Sequence, residues 1–498
     1  MDRKYIIFLF GLFVVVLFFR LFFAFQTPLF TGNDAYNTLR QVELIKENGL
    51  PFINDELSYG GIDYFILPVF HYILAFFSIF LPDALAYKLI PNILATALIF
   101  PVFFFVRNMV KNDNIALFTA FVSSFIPIYI GETVNSISKY SIIAPLFVLL
   151  MYFFLRINMK RDARPFIVLL LLFIFTDFSV IILVLSILLY LLFAWTEGLK
   201  IKRREIELIL FSVFITISIY FLIFNDLLLE KGASIIYGNI PQEELAIYFS
   251  GLDIVSVLIN IGILPLLSLV IVSFIYFSKK KKKSVYLPMS AGFVTAALLF
   301  TKLIPFIYGL IILGVIAAIL FGELLSIITA YFEKTKFSDY WWGVYAVFFL
   351  LFLATSVLPS VSSADAAIEA TPDGELVDGL RELKEISAGE DVIASTPETG
   401  SLVSYFSERR NVMDLNYFAG RDVETRYSDL RSIYSTSLTT RAIQDMEKYN
   451  IKYIILDESA KEKYNISQLS YADDRCFPKV ISKEKTNIYM RNCTLVRR

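Results

Sequence analysis

The stretch from Phe30 to Gly61 carries Asp34, Tyr36, Arg40, Asp55 and Glu56, with Asp63 just beyond, in the first polar segment after a hydrophobic helix. A carboxylate kept beside a low-dielectric slab is expensive and usually functional, so Asp34 stands as the candidate catalytic residue. The plainer reading is that Asp34 caps a helix starting near Ala35. Three further short polar segments, Gly131–Lys139, Asn225–Asp253 and the hairpin at Thr301–Lys302, add Glu132, Lys139, Glu243, Glu244 and Lys302. Carboxylates and lysines at one membrane face suit a site that binds an anionic head group and orients or deprotonates an acceptor. Each of these residues taken singly could be a solvated loop charge.

These groups need a membrane scaffold. With 498 residues, 57% of them hydrophobic, and 49 Phe, the chain is too apolar for a water-soluble globule and reads as a polytopic membrane protein. Half of the 46 acidic residues follow residue 360, so composition shifts near Pro359 from a membrane domain, residues 1–360, to a water-facing domain, residues 361–498. The lone His71 excludes a multi-histidine metal cluster, so a bound metal would be a hard ion such as Mg or Mn held by carboxylates. In its apolar helix His71 reads as a hydrogen-bonded structural group.

Met1 to Lys4 is basic and precedes the apolar run Tyr5–Phe25. Arg20 interrupts that run and no small-residue cleavage site follows, which favours a span over a signal peptide. Further runs are Leu67–Leu81, Leu89–Val106, Ile115–Ile130, Tyr140–Leu155, Phe166–Phe175, Phe178–Trp195, Ile206–Phe224, Ile254–Phe277, Val285–Phe300, Leu303–Phe321 and Trp341–Leu358. If Leu67–Leu81 lies at the interface, 17 basic residues, among them Arg107, Lys111, Arg156, Lys160, Arg161 and Lys279–Lys283, fall on the inner side. The loops between spans on the other side after that segment carry only Lys139, Lys231 and Lys302, the asymmetry that the positive-inside rule demands. This gives eleven spans, a cytoplasmic N-terminus, outer loops at residues 27–87, 131–139 and 225–253, and an extracytoplasmic terminal domain. The Lys279–Lys283 run could bind anionic lipid or nucleic acid, but between two spans it reads as an orientation anchor, and no nucleic-acid partner is expected.

The terminal domain reads as small α/β. Helices are expected at Leu376–Ile386, Ser401–Ser407 and Arg441–Tyr449, with strands at Val392–Ser395, Val412–Leu415 and Tyr453–Leu456. A hairpin is expected from Val480–Ser482 and Ile488–Met490, flanked by Cys476 and Cys493, which could face each other in a disulfide.

The run Asn33-Asp34-Ala35-Tyr36-Asn37-Thr38-Leu39-Arg40, followed by Glu47-Asn48-Gly49-Leu50-Pro51, resembles the first-loop aspartate motif of the GT-C membrane glycosyltransferases. Within them it is most similar to the catalytic subunit of oligosaccharyltransferase. The resemblance implies that Asp34 contacts a divalent metal, Mg or Mn, and the acceptor nitrogen. Pro127-Ile128-Tyr129-Ile130-Gly131-Glu132-Thr133-Val134 is similar to the approach to the family's second outer loop, which continues into a metal-binding acidic pair. Lys139 and Ser141 stand in its place, and an ammonium cannot ligate a metal but can hold its electrostatic role beside a phosphate. Phe300-Thr301-Lys302-Leu303-Ile304-Pro305 looks like the segment that offers a basic residue to the donor's phosphates, and Pro241-Gln242-Glu243-Glu244 like the acidic motif of the mobile outer loop. Thr396-Pro397-Glu398-Thr399-Gly400 occupies the position of a Trp-Trp-Asp-Tyr-Gly block that reads an acceptor sequon, keeping the acid and the turn without the indoles.

The resemblance thus implies transfer of a sugar or oligosaccharide from a polyprenyl-phosphate-linked glycan donor to a protein, glycan or lipid acceptor at the outer membrane face. Asp34, Glu243 and Glu244 would be catalytic, Lys302, Lys139 and Arg40 would bind the donor phosphate, and Glu398 and Gly400 would meet the acceptor. Rival readings are a metal-independent single-sugar transferase, a catalytically silent scaffold that binds lipid-linked glycan, and a transporter. A transporter places charge mid-membrane, where only Asp177 would qualify, and the topology puts Asp177 at an outer hairpin.

Overall fold

The structure, a computed structural model, describes residues 3–51, 54–63, 67–157, 163–248, 253–278, 282–336 and 340–495. Lys160, Arg161, Lys279–Lys281 and residues 249–252 of the long outer loop lie outside the described residues. Two compact units emerge, each assembled from separate stretches. The first comprises Met1–Pro28, Leu67–Ile223 and Tyr248–Glu369, and the second Leu29–Ile66, Phe224–Ile247 and Ala370–Arg498. The compositional break at Pro359 falls inside a helix, Leu358–Glu369.

The first unit is helical. Among the described residues, six helices are long and apolar enough to cross a membrane, including Arg3–Ala24, Asp83–Val110, Lys283–Phe300 and Phe306–Phe332, and a bent pair would make a seventh. The expected eleven is not reached on length, because Tyr140–Leu155, Ala163–Ile174 and Val180–Thr196 are shorter apolar helices. Within Leu67–Leu81 the Val69–Ser78 helix has 10 residues and rises about 15 Å, half of a hydrocarbon core. The expected span Ile254–Phe277 is instead two helices, Ile254–Ile261 and Ile263–Ser278, bent by 104°. Gly262 turns the chain there at φ 93°, and a Cβ on it would sit 2.5 Å from Ser356 Oγ. Pro265, in the next turn, supplies no N–H to bridge the break.

Charges sort to the two ends of this unit. At one end Lys139 pairs with Asp177 at 2.6 Å, and the Val69 N–H donates to Phe175 O at 3.3 Å. The Tyr140 ring lies 5.4 Å from that of Tyr308, in the first turn of Phe306–Phe332, which brings the Lys302 turn to the same end. At the other end Lys283 reaches Glu205 at 2.6 Å, Lys282 reaches Glu323 at 2.7 Å and Arg107 reaches Asp113 at 2.5 Å. The loops expected to be basic therefore gather away from Lys139 and Lys302, as the alternation of spans requires. Toward the Lys139 end, Arg20 is buried and donates to Asn92 Oδ1 at 3.0 Å and to the Thr133 hydroxyl, with its guanidinium 5.6 Å from the Tyr129 ring centroid.

The second unit carries a five-stranded sheet in the order β4-β3-β5-β7-β6. Its strands are β3 (Val392–Ala394), β4 (Arg410–Asn411), β5 (Ile451–Leu456), β6 (Lys479–Ser482) and β7 (Asn487–Met490), and the first loop adds a separate hairpin of β1 (Asn54–Asp55) and β2 (Ile62–Asp63). β3 runs parallel to β4 and β5, while β7 is antiparallel to β5 and β6. The helices at Gly374–Ile386 and Thr439–Lys448 match the sequence reading, whereas Val423–Ser435 and Glu458–Lys463 were not expected. The strand expected at Val412–Leu415 is corrected: the paired residues are Arg410 and Asn411, and the chain after them turns to place Asp414 inside the unit. Cys476 and Cys493 are joined in a disulfide with a Cα separation of 4.9 Å.

Candidate functional site

Asp34 lies in the first turn of the Asn33–Asn48 helix. Gly32, at φ 83°, is the N-cap and makes no side-chain cap bond, so Asp34 is a helical residue rather than the cap. Its carboxylate is exposed at the positive end of the helix, where peptide dipoles favour an anion. The helix beneath it is fixed by burial. Tyr36 is packed against the rings of Tyr405 and Phe406, and its hydroxyl accepts from the Phe30 N–H at 3.1 Å. Burial pushes the Tyr36 hydroxyl up to about 12, so it stays neutral.

Arg40, expected at the donor phosphate, is committed elsewhere. It donates to both oxygens of Asp55, at 3.0 and 2.7 Å, with both side chains buried. This planar two-point pairing closes the first loop on itself, and the Leu57 N–H adds a bond to Asp55 Oδ1 at 3.0 Å. The phosphate role for Arg40 gives way to a structural one.

A second buried carboxylate, Asp414, organises the contact between the first loop and the sheet. Ser58 donates to Asp414 Oδ2 at 2.6 Å, Asn411 donates to it at 3.2 Å, and the Tyr59 hydroxyl donates to Asp414 O at 2.8 Å. The Asn411 N–H reaches Leu57 O at 2.8 Å, lengthening the edge of the sheet with first-loop backbone. Burial raises the Asp414 carboxyl above its usual range, and the bonds from Ser58, the Asn416 N–H and Asn411 partly offset this. Gly400, expected to meet the acceptor, faces this hub: a Cβ there would stand 2.2 Å from Met413 O, so the residue is glycine for close packing.

The acidic motif Pro241-Gln242-Glu243-Glu244 is also engaged within the second unit. Glu243 pairs with Arg431 at 2.6 Å, and Glu244 accepts from the Tyr427 hydroxyl at 2.5 Å and from Lys463 at 2.7 Å. Lys463 also reaches Glu398 at 2.5 Å, so one ammonium joins the expected catalytic acid Glu244 to the expected acceptor-binding acid Glu398. Asn239 and Lys231 hold the same loop by donating to Gly420 O at 3.1 and 2.8 Å. Glu243 and Glu244 thus fasten the loop to the Val423–Ser435 helix and Lys463 instead of standing ready as bases. Lys463, Tyr427 and Arg431 escaped the sequence reading because nothing local links them to residues so far away in the chain.

In the first unit Lys139 opens the Tyr140–Leu155 helix and is half-exposed, and Asp177, its partner, is buried. Ser141 donates to Ser138 O at 2.8 Å, fixing the same turn. Lys302 is exposed in a left-handed turn, φ 58°, between two spans. The hydrogen-bonded reading of His71 is corrected at one atom, since its buried Nδ1 has no hydrogen-bond partner among the described residues. No group of three His, Cys, Asp or Glu side chains able to hold a metal ion occurs among the described residues. At the second outer loop the donor set is an ammonium already paired with Asp177 and a hydroxyl already bonded to Ser138, which does not fit Mg or Mn.

Helical spans followed by a small sheet domain are a fold shared with solved structures of membrane enzymes. The oligosaccharyltransferase of Archaeoglobus fulgidus in its apo form aligns over 94% of this chain and 72% of its own, with a TM-score of 0.68 and 14% identity. The same archaeal enzyme, AglB, in complex with an inhibitory peptide and a dolichol-phosphate, aligns over 90% of this chain and 69% of its own, at TM-score 0.65 and 13% identity. ArnT from Cupriavidus metallidurans bound to undecaprenyl phosphate aligns over 98% of both chains, at TM-score 0.57 and 11% identity. No family model and no curated protein matches the sequence.

Proposed function

We propose that this chain is a GT-C glycosyltransferase that moves a sugar or oligosaccharide from a polyprenyl-phosphate-linked donor to an acceptor at a membrane surface. The observation that carries the reading is the likeness, over nearly the whole chain, to structures that hold polyprenyl phosphates, combined with Asp34 exposed at a helix N-terminus. In this reading Asp34 orients the acceptor and draws off its proton as the acceptor atom bonds to the anomeric carbon and the anomeric carbon–phosphate oxygen bond breaks. Lys302 and Lys139 stabilise the phosphate that departs with its electron pair, a role that is strongest where water is scarce. Asp177 aims Lys139 through their ion pair, and no step passes through a metal.

The test is transfer from a defined polyprenyl-phosphate-linked sugar by purified protein in lipid nanodiscs, read as release of polyprenyl phosphate. Asp34→Asn is expected to lower the rate by about 10²- to 10⁴-fold, the usual worth of a positioned acid or base, with donor binding retained. Unchanged turnover in that variant would remove Asp34 from the chemistry. Donor binding without any turnover in the wild type would favour the scaffold, which the loss of the family's acidic pair and indoles also favours.

A further inference from the structure

Two cavities open at the basic end of the helical unit, and their charge balance differs. One, of about 360 Å³, is lined in part by Lys111, Lys282, Lys283 and Glu205; Glu323 and Glu205 neutralise Lys282 and Lys283 at 2.7 and 2.6 Å, and Lys111 is shared with the second cavity. The other, of about 580 Å³, has Tyr5, Phe104 and Tyr152 as aromatic walls and Arg107, Lys111 and Arg156 as cationic ones. Asp113 is the single carboxylate among its described lining residues, and it pairs with Arg107.

The cationic walls are preset. Arg107 Nε is held by Asp113 at 2.5 Å, and Arg156 donates to the Tyr152 hydroxyl while its guanidinium lies 5.1 Å from that ring's centroid. Phe104 and Tyr152 brace each other at 6.2 Å, and the Tyr5 hydroxyl donates to Asn114 at 2.9 Å. Next to Tyr5, along the Arg3–Ala24 helix, Ile6, Ile7 and Phe10 are 54%, 63% and 61% exposed. A cationic cleft thus adjoins an uncovered apolar face, with amphipathic tyrosines between them, which is the profile of a membrane interface.

We infer that this cleft binds the phosphate headgroup of an anionic phospholipid, with the acyl chains lying along the exposed face of the first helix. A free inorganic or nucleotide phosphate could use the same cations but would gain nothing from Ile6, Ile7 and Phe10. A basic pocket between spans is a recognised way to hold such headgroups. The site is separate from the Lys139 and Lys302 end of the unit and does not depend on the transferase reading.

The experiment is native mass spectrometry of the full-length protein in detergent with phosphatidylglycerol, which is anionic, or phosphatidylcholine, which is zwitterionic. Phosphatidylglycerol should be retained preferentially, and Arg156→Gln and Lys111→Gln should each weaken its retention about fivefold, the equivalent of roughly 1 kcal/mol per removed charge. Arg203→Gln removes a charge from a side chain that is 92% exposed at the same end but outside the cleft, and should change nothing. Equal retention of the two lipids would overturn the inference, as would an Arg203→Gln loss matching that of Arg156→Gln. Displacement of phosphatidylglycerol by millimolar inorganic phosphate would likewise overturn it, in favour of a free-anion site.

Discussion

Each unit buries an arginine, and the two are treated differently. In the sheet unit Arg40 meets Asp55 through two bonds, so the pair is neutral. In the helical unit Arg20, at 1% exposure, is met by the amide of Asn92, the hydroxyl of Thr133 and the face of Tyr129, all neutral. A matched ion pair ties its two halves to each other, because either one left alone in the interior is an uncompensated charge. A cation held by neutral groups has no such hostage, and its removal leaves only unmet dipoles.

That contrast can be broken by mutation. Arg40→Met should cost the sheet unit about 3–5 kcal/mol, since Asp55 remains buried and unpaired, and adding Asp55→Leu should recover much of the loss. Thermal unfolding of the purified protein, with limited proteolysis to locate the damage, measures both. If single and double variants are equally unstable, the pairing is not what holds the loop. Replacing Cys476 and Cys493 by Ser should cost the same unit about 2–4 kcal/mol, and proteolysis should reach residues 476–493 first. Arg20→Gln should cost least, about 1–3 kcal/mol, as a small fall in the unfolding temperature in detergent. A loss as large as that of Arg40→Met would mean that Arg20 balances an anion after all.

Much of the scaffold was legible in the sequence. Apolar runs located the helices, and the Lys139–Asp177 and Tyr140–Tyr308 contacts gather the turns around Lys139, Asp177 and Lys302 at one end of the helical unit. The 104° break was harder to see, because Gly262 inside an apolar run lowers hydropathy hardly at all while its positive φ redirects the chain. Site residues fared unevenly. Asp34 and Lys302 are exposed, whereas Arg40, Glu243, Glu244 and Gly400 are engaged by Asp55, Arg431, Lys463 and Met413. Sequence spacing reports which residues share a helix face; it is silent on partners as distant as those of Glu243 and Glu244, and equally on a fold-back as short as that of Arg40 onto Asp55. Asp177 did leave a signal, a lone carboxylate between two apolar runs, and its burial against Lys139 answers it.

The bond from Ser58 to Asp414 joins residues 356 positions apart. At about 5–20 residues per second, a ribosome needs roughly 20 to 70 s to elongate the chain from one to the other. Throughout that interval the segment around Tyr59 has emerged without the partners that will enclose it, and it must wait as nascent, unpaired backbone. Protein ending before Asn411 would never supply those partners, so premature termination late in translation should leave the earliest hydrophilic segment open to proteases.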